Sequence, residues 1–359
     1  MRRLLFCVYI SAATALRLPA SRRDAILSAG ILVISQKAAI AAPPGSLGAR
    51  AEELRTLEAR VQESGKVETP EFWHGRLQGQ PPPNPKVVLK DAPPIVILPG
   101  FGNDQLDYLI PEETSFKAAL TRRGAEVSVV PINRPDWLNV ARGLSDFAFF
   151  TGSAQPEGPA FSWYIKSAKQ TVEEAVAARR QQGASDVDAR VVLIGHSAGG
   201  WLARALCVVA GDAWVLKHVR GMVTLGAPHG TPPPEVADQT RGTIPNVNRR
   251  APEAYYASRG VFYVTASSRH VVGDENGTPS EKNAFTAYSL VLGKGQGVEG
   301  DGFVPIESAM LEGAVQLTLD CYHSGGSADP WPKDDWYGSE RNVDAWLGAV
   351  KEQLARQST

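Results

Sequence analysis

From Pro94 onward, short runs rich in Val, Ile and Leu alternate with helical stretches, and that alternation leaves the chain few architectures. The runs are Ile95 to Leu98, Val127 to Val130, Val191 to Ile194, Met222 to Leu225 and Val261 to Thr265, with a sixth from Val315 to Leu319. Helical spacing marks Phe116 to Arg123, Ser167 to Arg180 and Leu202 to Ala210 between them, and Asn342 to Leu354 after the last. Strands that are apolar throughout are covered on both faces. The expected fold class is therefore α/β, a mostly parallel central sheet with helices on both faces, and its working residues are expected at the carboxyl ends of the strands. The domain is placed at 93–355. With 43% apolar and 21% charged residues, disorder and coiled coil are excluded as the main state of this chain.

The formal net charge of −1 hides an asymmetry. Residues 1–41 hold Arg2, Arg3, Arg17, Arg22, Arg23 and Lys37 against Asp24, a balance of +5 that leaves −6 on the remainder. An acidic body lacks the clustered Lys and Arg that displace phosphate counterions, so no nucleic-acid partner is expected. Within 1–41, Arg2 and Arg3 precede the apolar run Leu4 to Leu16, and Arg22 and Arg23 precede Ala25 to Ile34. Both runs are too short to span a bilayer. Small residues at Ala39 and Ala41 follow the second, as a signal peptidase requires. Residues 1–41 read as a bipartite targeting presequence cleaved near Ala41, its second half resembling a twin-arginine signal. A single secretory signal with a pro-segment is the alternative. Residues 42–92 are expected to hold an amphipathic helix over 49–64, with Leu54, Leu57 and Val61 on one face, and a linker containing GQPPPNP.

The third run leads into Gly195-His196-Ser197-Ala198-Gly199-Gly200, a G-x-S-x-G sequence between an expected strand and an expected helix. A turn that sharp forces the serine backbone into strain and leaves room only for small residues two positions either side. It also lifts the Ser197 hydroxyl clear of the sheet, beneath the amino terminus of the next helix. A serine hydroxyl needs an imidazole to take its proton before it attacks. The oxyanion that follows needs preformed donors, here assigned to the backbone N–H of Ala198 and of Phe101 in the glycine-flanked loop Pro99-Gly100-Phe101-Gly102-Asn103. His196 is read as structural, pointing away from the nucleophile.

The partners should follow in the order serine, acid, histidine. Of His218, His229, His270 and His323, only His323 comes after the last expected strand, and it is the candidate base. His229 is read as structural and His270 as the weaker alternative. Asp301, in Gly300-Asp301-Gly302, is the preferred acid, with Asp274 the alternative; Asp320 lies only three residues before His323. Cys321 is set aside as a nucleophile because Ser197 is better placed, and Cys207 is expected to pack as a small buried hydrophobe. No metal and no organic cofactor is expected. Between 133 and 165 aromatic residues are dense, and the segment is expected to cap the site, with Trp137, Phe149, Phe150 and Trp163 as an apolar wall. Packing of an ordinary helix layer is the alternative.

These residues resemble the α/β-hydrolase superfamily and, within it, a lipase group of plastids and cyanobacteria. The likeness runs from about Pro94 to Leu347. It rests on LPGFGND at 98–104, RPDWL and GLSD within 134–146, FSWY at 161–164, GHSAGGWLAR at 195–204, and GDGFVP, LEGAVQLTLDCYHS and WYGS within 300–339. The resemblance implies an α/β-hydrolase fold and a serine hydrolase of carboxylic esters, with Ser197, Asp301 and His323 at the triad positions. It implies an acyl-ester or lipid substrate, with peripheral membrane contact, and a plastid location; the two stacked signals point within it to the thylakoid lumen, with secretion the alternative. An acyltransferase with the same triad and a non-catalytic lipid-binding protein are the rival readings. GAPHGTPPP departs from the group's usual Thr before Pro, and the insertion from Arg269 to Gly300 lengthens the approach to the acid.

Overall fold

The structure, a computed structural model, describes residues 85–110, 112–325 and 335–357. The presequence expected over 1–41, the helix expected over 49–64 and most of the proline-rich linker lie outside the described residues.

All six apolar runs are strands of one sheet. They are β1 (Ile95–Leu98), β2 (Val127–Val129), β3 (Val191–His196), β4 (Val219–Leu225) and β5 (Phe262–Ser268), with β8 (Val315–Leu319) after a separate pair, β6 (Val271–Val272) and β7 (Glu299–Gly300). The six pair in parallel in the order β2-β1-β3-β4-β5-β8. β4 starts three residues before the apolar count placed it, because it contains Arg220. That charge leaves the sheet at the strand's start and pairs with Asp188 at 3.0 Å.

Successive strand residues face opposite layers. Val96, Leu98, Leu193 and Met222 pack with helices α2 (Ser162–Gln181) and α3 (Ala198–Ala210). Ile95, Ile97, Ile194 and Val223 pack on the other side with α1 (Phe116–Arg122) and α7 (Glu340–Gln357). The buried residues of α7, Val343, Trp346, Leu347 and Val350, recur at helical spacing and form its core stripe. Just after α1, buried Arg123 binds Glu340 and Asp344 of α7, both at 2.7 Å, so the two helices of this layer are held by charge as well as by packing.

The chain passes from β1 outward to β2, then crosses back so that β3 lies on the other side of β1. The loops after β1 and β3 therefore diverge, and the crevice between them is where ligands bind in open parallel sheets. The insertion before Asp301 closes at its root through Val271↔Gly300 and Val272↔Glu299. Its helix α6 (Pro279–Leu292) starts on a capping box of Thr278 and Glu281, and Ala284 and Tyr288 pack on Val271 and Val298 as a separate small cluster. The long detour therefore returns Asp301 to the carboxyl end of β5.

Candidate active site

β3 ends at His196 and α3 begins at Ala198, so the turn is Ser197 alone. Its φ of 55° and ψ of −129° lie where a non-glycine residue carries about 1–3 kcal/mol of strain. The glycines beside it are there for space. A Cβ at Gly199 would lie 2.0 Å from the Leu98 carbonyl oxygen, and one at Gly195 would lie 2.4 Å from Gly200 Cα. The Ser197 N–H donates to the Leu225 carbonyl at 2.9 Å and ties the elbow to the end of β4.

The loop after β1 comes close to the elbow, since a Cβ at Gly100 would lie 2.7 Å from Ser197 Cβ. The next amide is that of Phe101, and the Ala198 N–H opens α3 with no intrahelical acceptor. The aromatic segment holds this loop from behind. Arg134 donates to the Gly102 carbonyl and pairs with Asp107, Trp137 Nε1 donates to the Asn103 carbonyl at 2.9 Å, and the Tyr164 hydroxyl donates to the Pro99 carbonyl at 2.8 Å. Trp137 meets Phe101 edge-on at 4.7 Å and Trp163 at 5.5 Å. Of the four aromatic residues expected to wall a substrate, Trp137 and Phe149 are thus buried in the core, where their rings support the loop and the turn at Gly143. Phe150 and Trp163 are half-buried. The outward-facing apolar residues of the segment are Leu138, Leu144 and Phe147.

Asp301 and His323 meet in a buried pair, with His323 Nδ1 2.8 Å from Asp301 Oδ2. The Asp301 carboxylate also accepts from the Phe303 and Val304 N–H groups through Oδ1 and from the Tyr337 hydroxyl through Oδ2, at 3.0, 2.7 and 3.0 Å. Burial alone would raise its pKa; the His323 ring and these donors outweigh that and hold the carboxyl below its usual value. Burial first, then the Asp301 charge, pushes the Tyr337 hydroxyl well above its ordinary range, so it stays a donor. Room for this group comes from Gly226, which has φ of 55° and whose Cβ would strike Asp301 Oδ2 at 2.5 Å. The sequence gives Tyr337 no role beyond its place in the WYGS tail, because nothing in its spacing points to Asp301.

The backbone of His323 is held from both sides. Its N–H donates to the Asp301 carbonyl at 2.9 Å, and its carbonyl accepts from His196 Nε2 at 2.8 Å. The structural role read for His196 takes a particular form: its ring lies beside that of His323, centroid to centroid 4.9 Å, and braces the backbone of that residue. Ser197 follows His196 directly, so the elbow and the His323 loop are joined through this ring. The Ser197 side chain makes no capping hydrogen bond to α3, which leaves its hydroxyl free of the helix it precedes.

The alternatives lie elsewhere. Asp274 sits in the insertion, accepting from Asn276 N–H and Gln296. His270 pairs with exposed Asp320. His229 is buried against Thr224. Cys321 and Cys207 are buried, and burial pushes the Cys207 thiol up to about 12 and that of Cys321 higher still.

Burial also lowers the pKa of His196 to about 3, with the neighbouring His323 ring adding to it, and lowers that of His229 well below 6.5. Both rings are neutral when folded and take up a proton when the chain unfolds below about pH 6.5. Stability is then lost as pH falls, by about 1.4 kcal/mol per pH unit for each ring. The melting temperature is expected to drop between pH 6.5 and 5, above the range where carboxylates titrate. A flat profile there would show that these rings are not held neutral.

A parallel sheet with a strained serine after a central strand, and an imidazole and a carboxylate on loops after later strands, has the architecture of an α/β hydrolase. Residues 95–351 match the alpha/beta hydrolase family, and the chain belongs to it. No curated protein matches the chain. Among solved structures it is similar to a lipase of Bacillus licheniformis in mature form, at 12% identity and a TM-score of 0.43, covering 76% of this chain and 99% of that one. It is also similar to a metagenomic carboxyl esterase at 13% and 0.42, covering 78% and 80%, and to esterases of Rhizomucor miehei at 14% and 0.38, covering 76% of each chain.

Proposed function

We propose that this protein is a serine hydrolase of carboxylic esters, with acyl lipids as its substrate class. The observation that carries the reading is the buried Asp301–His323 pair brought to the same end of the sheet as the strained Ser197. In this reading His323 Nε2 takes the Ser197 proton as Oγ adds to the ester carbonyl. The Phe101 and Ala198 N–H groups hold the oxyanion, and the imidazolium returns the proton to the departing alcohol. Water, deprotonated by the same imidazole, adds to the acyl-serine; collapse of that intermediate releases the acid and restores the Ser197 hydroxyl. Asp301 keeps the proton of His323 on Nδ1, leaving Nε2 free to accept.

The motif patches from LPGFGND to WYGS support a kinship with plastid and cyanobacterial lipases, and the presequence supports delivery to a plastid with a mature start near Ala41. The test is incubation of the purified protein with p-nitrophenyl esters and with a lipid extract read by mass spectrometry. Release of free fatty acid is the expected result. Acyl transfer to an added alcohol without free acid would make the protein an acyltransferase. No turnover and no fluorophosphonate adduct at Ser197 would make it a binding protein.

A further inference from the structure

Four hydrogen bonds, three of them buried and that of Asn103 part-buried, join the loop after β1 to His323. The Gly100 N–H and Asn103 Nδ2 both lie within bonding distance of the Tyr108 hydroxyl, at 3.0 and 2.7 Å. That hydroxyl is 2.8 Å from His196 Nδ1, and His196 Nε2 is 2.8 Å from the His323 carbonyl oxygen. Each proton can be placed from donor chemistry alone. A carbonyl only accepts, so His196 Nε2 carries the hydrogen and Nδ1 is the acceptor. The two nitrogens that meet the Tyr108 oxygen only donate, so the hydroxyl hydrogen goes to His196. Every bond then runs one way, from the β1 loop to the His323 loop, with no polar atom of the two rings left over. Tyr108 and His196 are buried, and Trp336 packs edge-on against both rings at 6.3 and 5.3 Å, so neither has an alternative partner in water.

We propose that Tyr108 and His196 are positioning residues, a dry strut that sets the Phe101 N–H and the His323 imidazole together relative to Ser197. The inference rests on the function proposed above and deepens it. Gly100 precedes the oxyanion donor, His196 precedes the nucleophile, and the strut ends on the backbone of the base. All three parts of the site therefore move as one body. Neither Tyr108 nor His196 touches substrate; the low basicity of the buried His196 ring keeps its proton pattern constant across the working pH range.

The test compares Tyr108→Phe, His196→Gln, His196→Leu and the double variant Tyr108→Phe/His196→Leu, each assayed on a short p-nitrophenyl ester well below its measured melting temperature. A misplacement of this kind is expected to lower kcat about 10–100-fold in Tyr108→Phe and His196→Leu, with KM little changed. The double variant should be no slower than the worse single, because the strut acts as a unit. Glutamine, whose amide can accept from Tyr108 and donate to the His323 carbonyl, should restore most of the rate lost in His196→Leu. Unchanged kcat in folded variants, a loss confined to KM, or losses that simply multiply would overturn the strut. If Tyr108→Phe does not fold, the His196→Gln and His196→Leu pair decides, and equal rates overturn it. A wild-type protein that takes no fluorophosphonate at Ser197 would sink the hydrolase reading itself, and the positioning role with it. Normal wild-type labelling beside full-rate variants sinks the strut alone.

Discussion

Ser197→Ala is expected to cost about 10⁵–10⁶-fold in kcat for ester hydrolysis while leaving the fold intact. In the proposed mechanism this hydroxyl is the atom that forms the acyl bond. The two cysteines among the described residues are buried with thiols of high pKa. The fold should tolerate the change because the half-buried hydroxyl makes no hydrogen bond that stabilises the turn, and alanine carries the same strain at φ of 55° as serine does. The elbow is held by its backbone bond to Leu225 and by the glycines around it, none of which the substitution touches. The checks are kcat, the melting temperature, and labelling by a fluorophosphonate. Turnover at the wild-type rate in a folded Ser197→Ala protein would remove Ser197 as nucleophile.

Asp301→Asn should have the next largest effect, about 10⁴-fold in kcat. Both carboxylate oxygens are engaged as acceptors, Oδ2 by His323 Nδ1 and the Tyr337 hydroxyl, Oδ1 by two backbone N–H groups. An asparagine must place its NH2 against one of these sets. Facing His323, it forces the imidazole proton to Nε2, where the ring can no longer accept from Ser197. Facing the backbone, it sets donor against donor in a buried site and costs stability instead. Both outcomes are readable, as lost kcat at an unchanged melting temperature or as lowered stability. Asp274→Asn is the comparison, since Asp274 accepts only from the insertion's own groups. Near-wild-type kcat in Asp301→Asn together with a large loss in Asp274→Asn would reverse the choice of acid.

The central strands β1, β3, β4 and β5 were legible because each repeats one physical demand, apolar side chains on both faces, while the edge strands β2 (VSV) and β8 (VQLTL) kept enough Val and Leu to show. β4 was read short for the same reason: Arg220 meets its charge partner at the strand's start, an exception that a count of apolar residues cannot see. Helices α4 (Asp212–His218) and α5 (Thr243–Arg250) were missed because, at 7 and 8 residues, each is too short for a helical period to stand out in the sequence. The aromatic segment was read as a substrate wall from its composition. Trp137 turned inward to brace the loop that passes close to Ser197, and Phe149 to cover the turn at Gly143; composition does not say which side of a ring will be covered.

By itself, the sequence determined the parallel sheet, the elbow at Ser197 and the order in which an acid and an imidazole must follow. These depend on local crowding and on repeated apolar pattern, both written in neighbouring residues. Only the folded structure settles which carboxylate reaches His323, that Tyr337 shares it, and that His196 binds the His323 backbone. Those outcomes depend on pairs 22, 36 and 127 residues apart in the chain. A hydrogen bond has a direction and a length, which only the folded path of the chain between its partners can set.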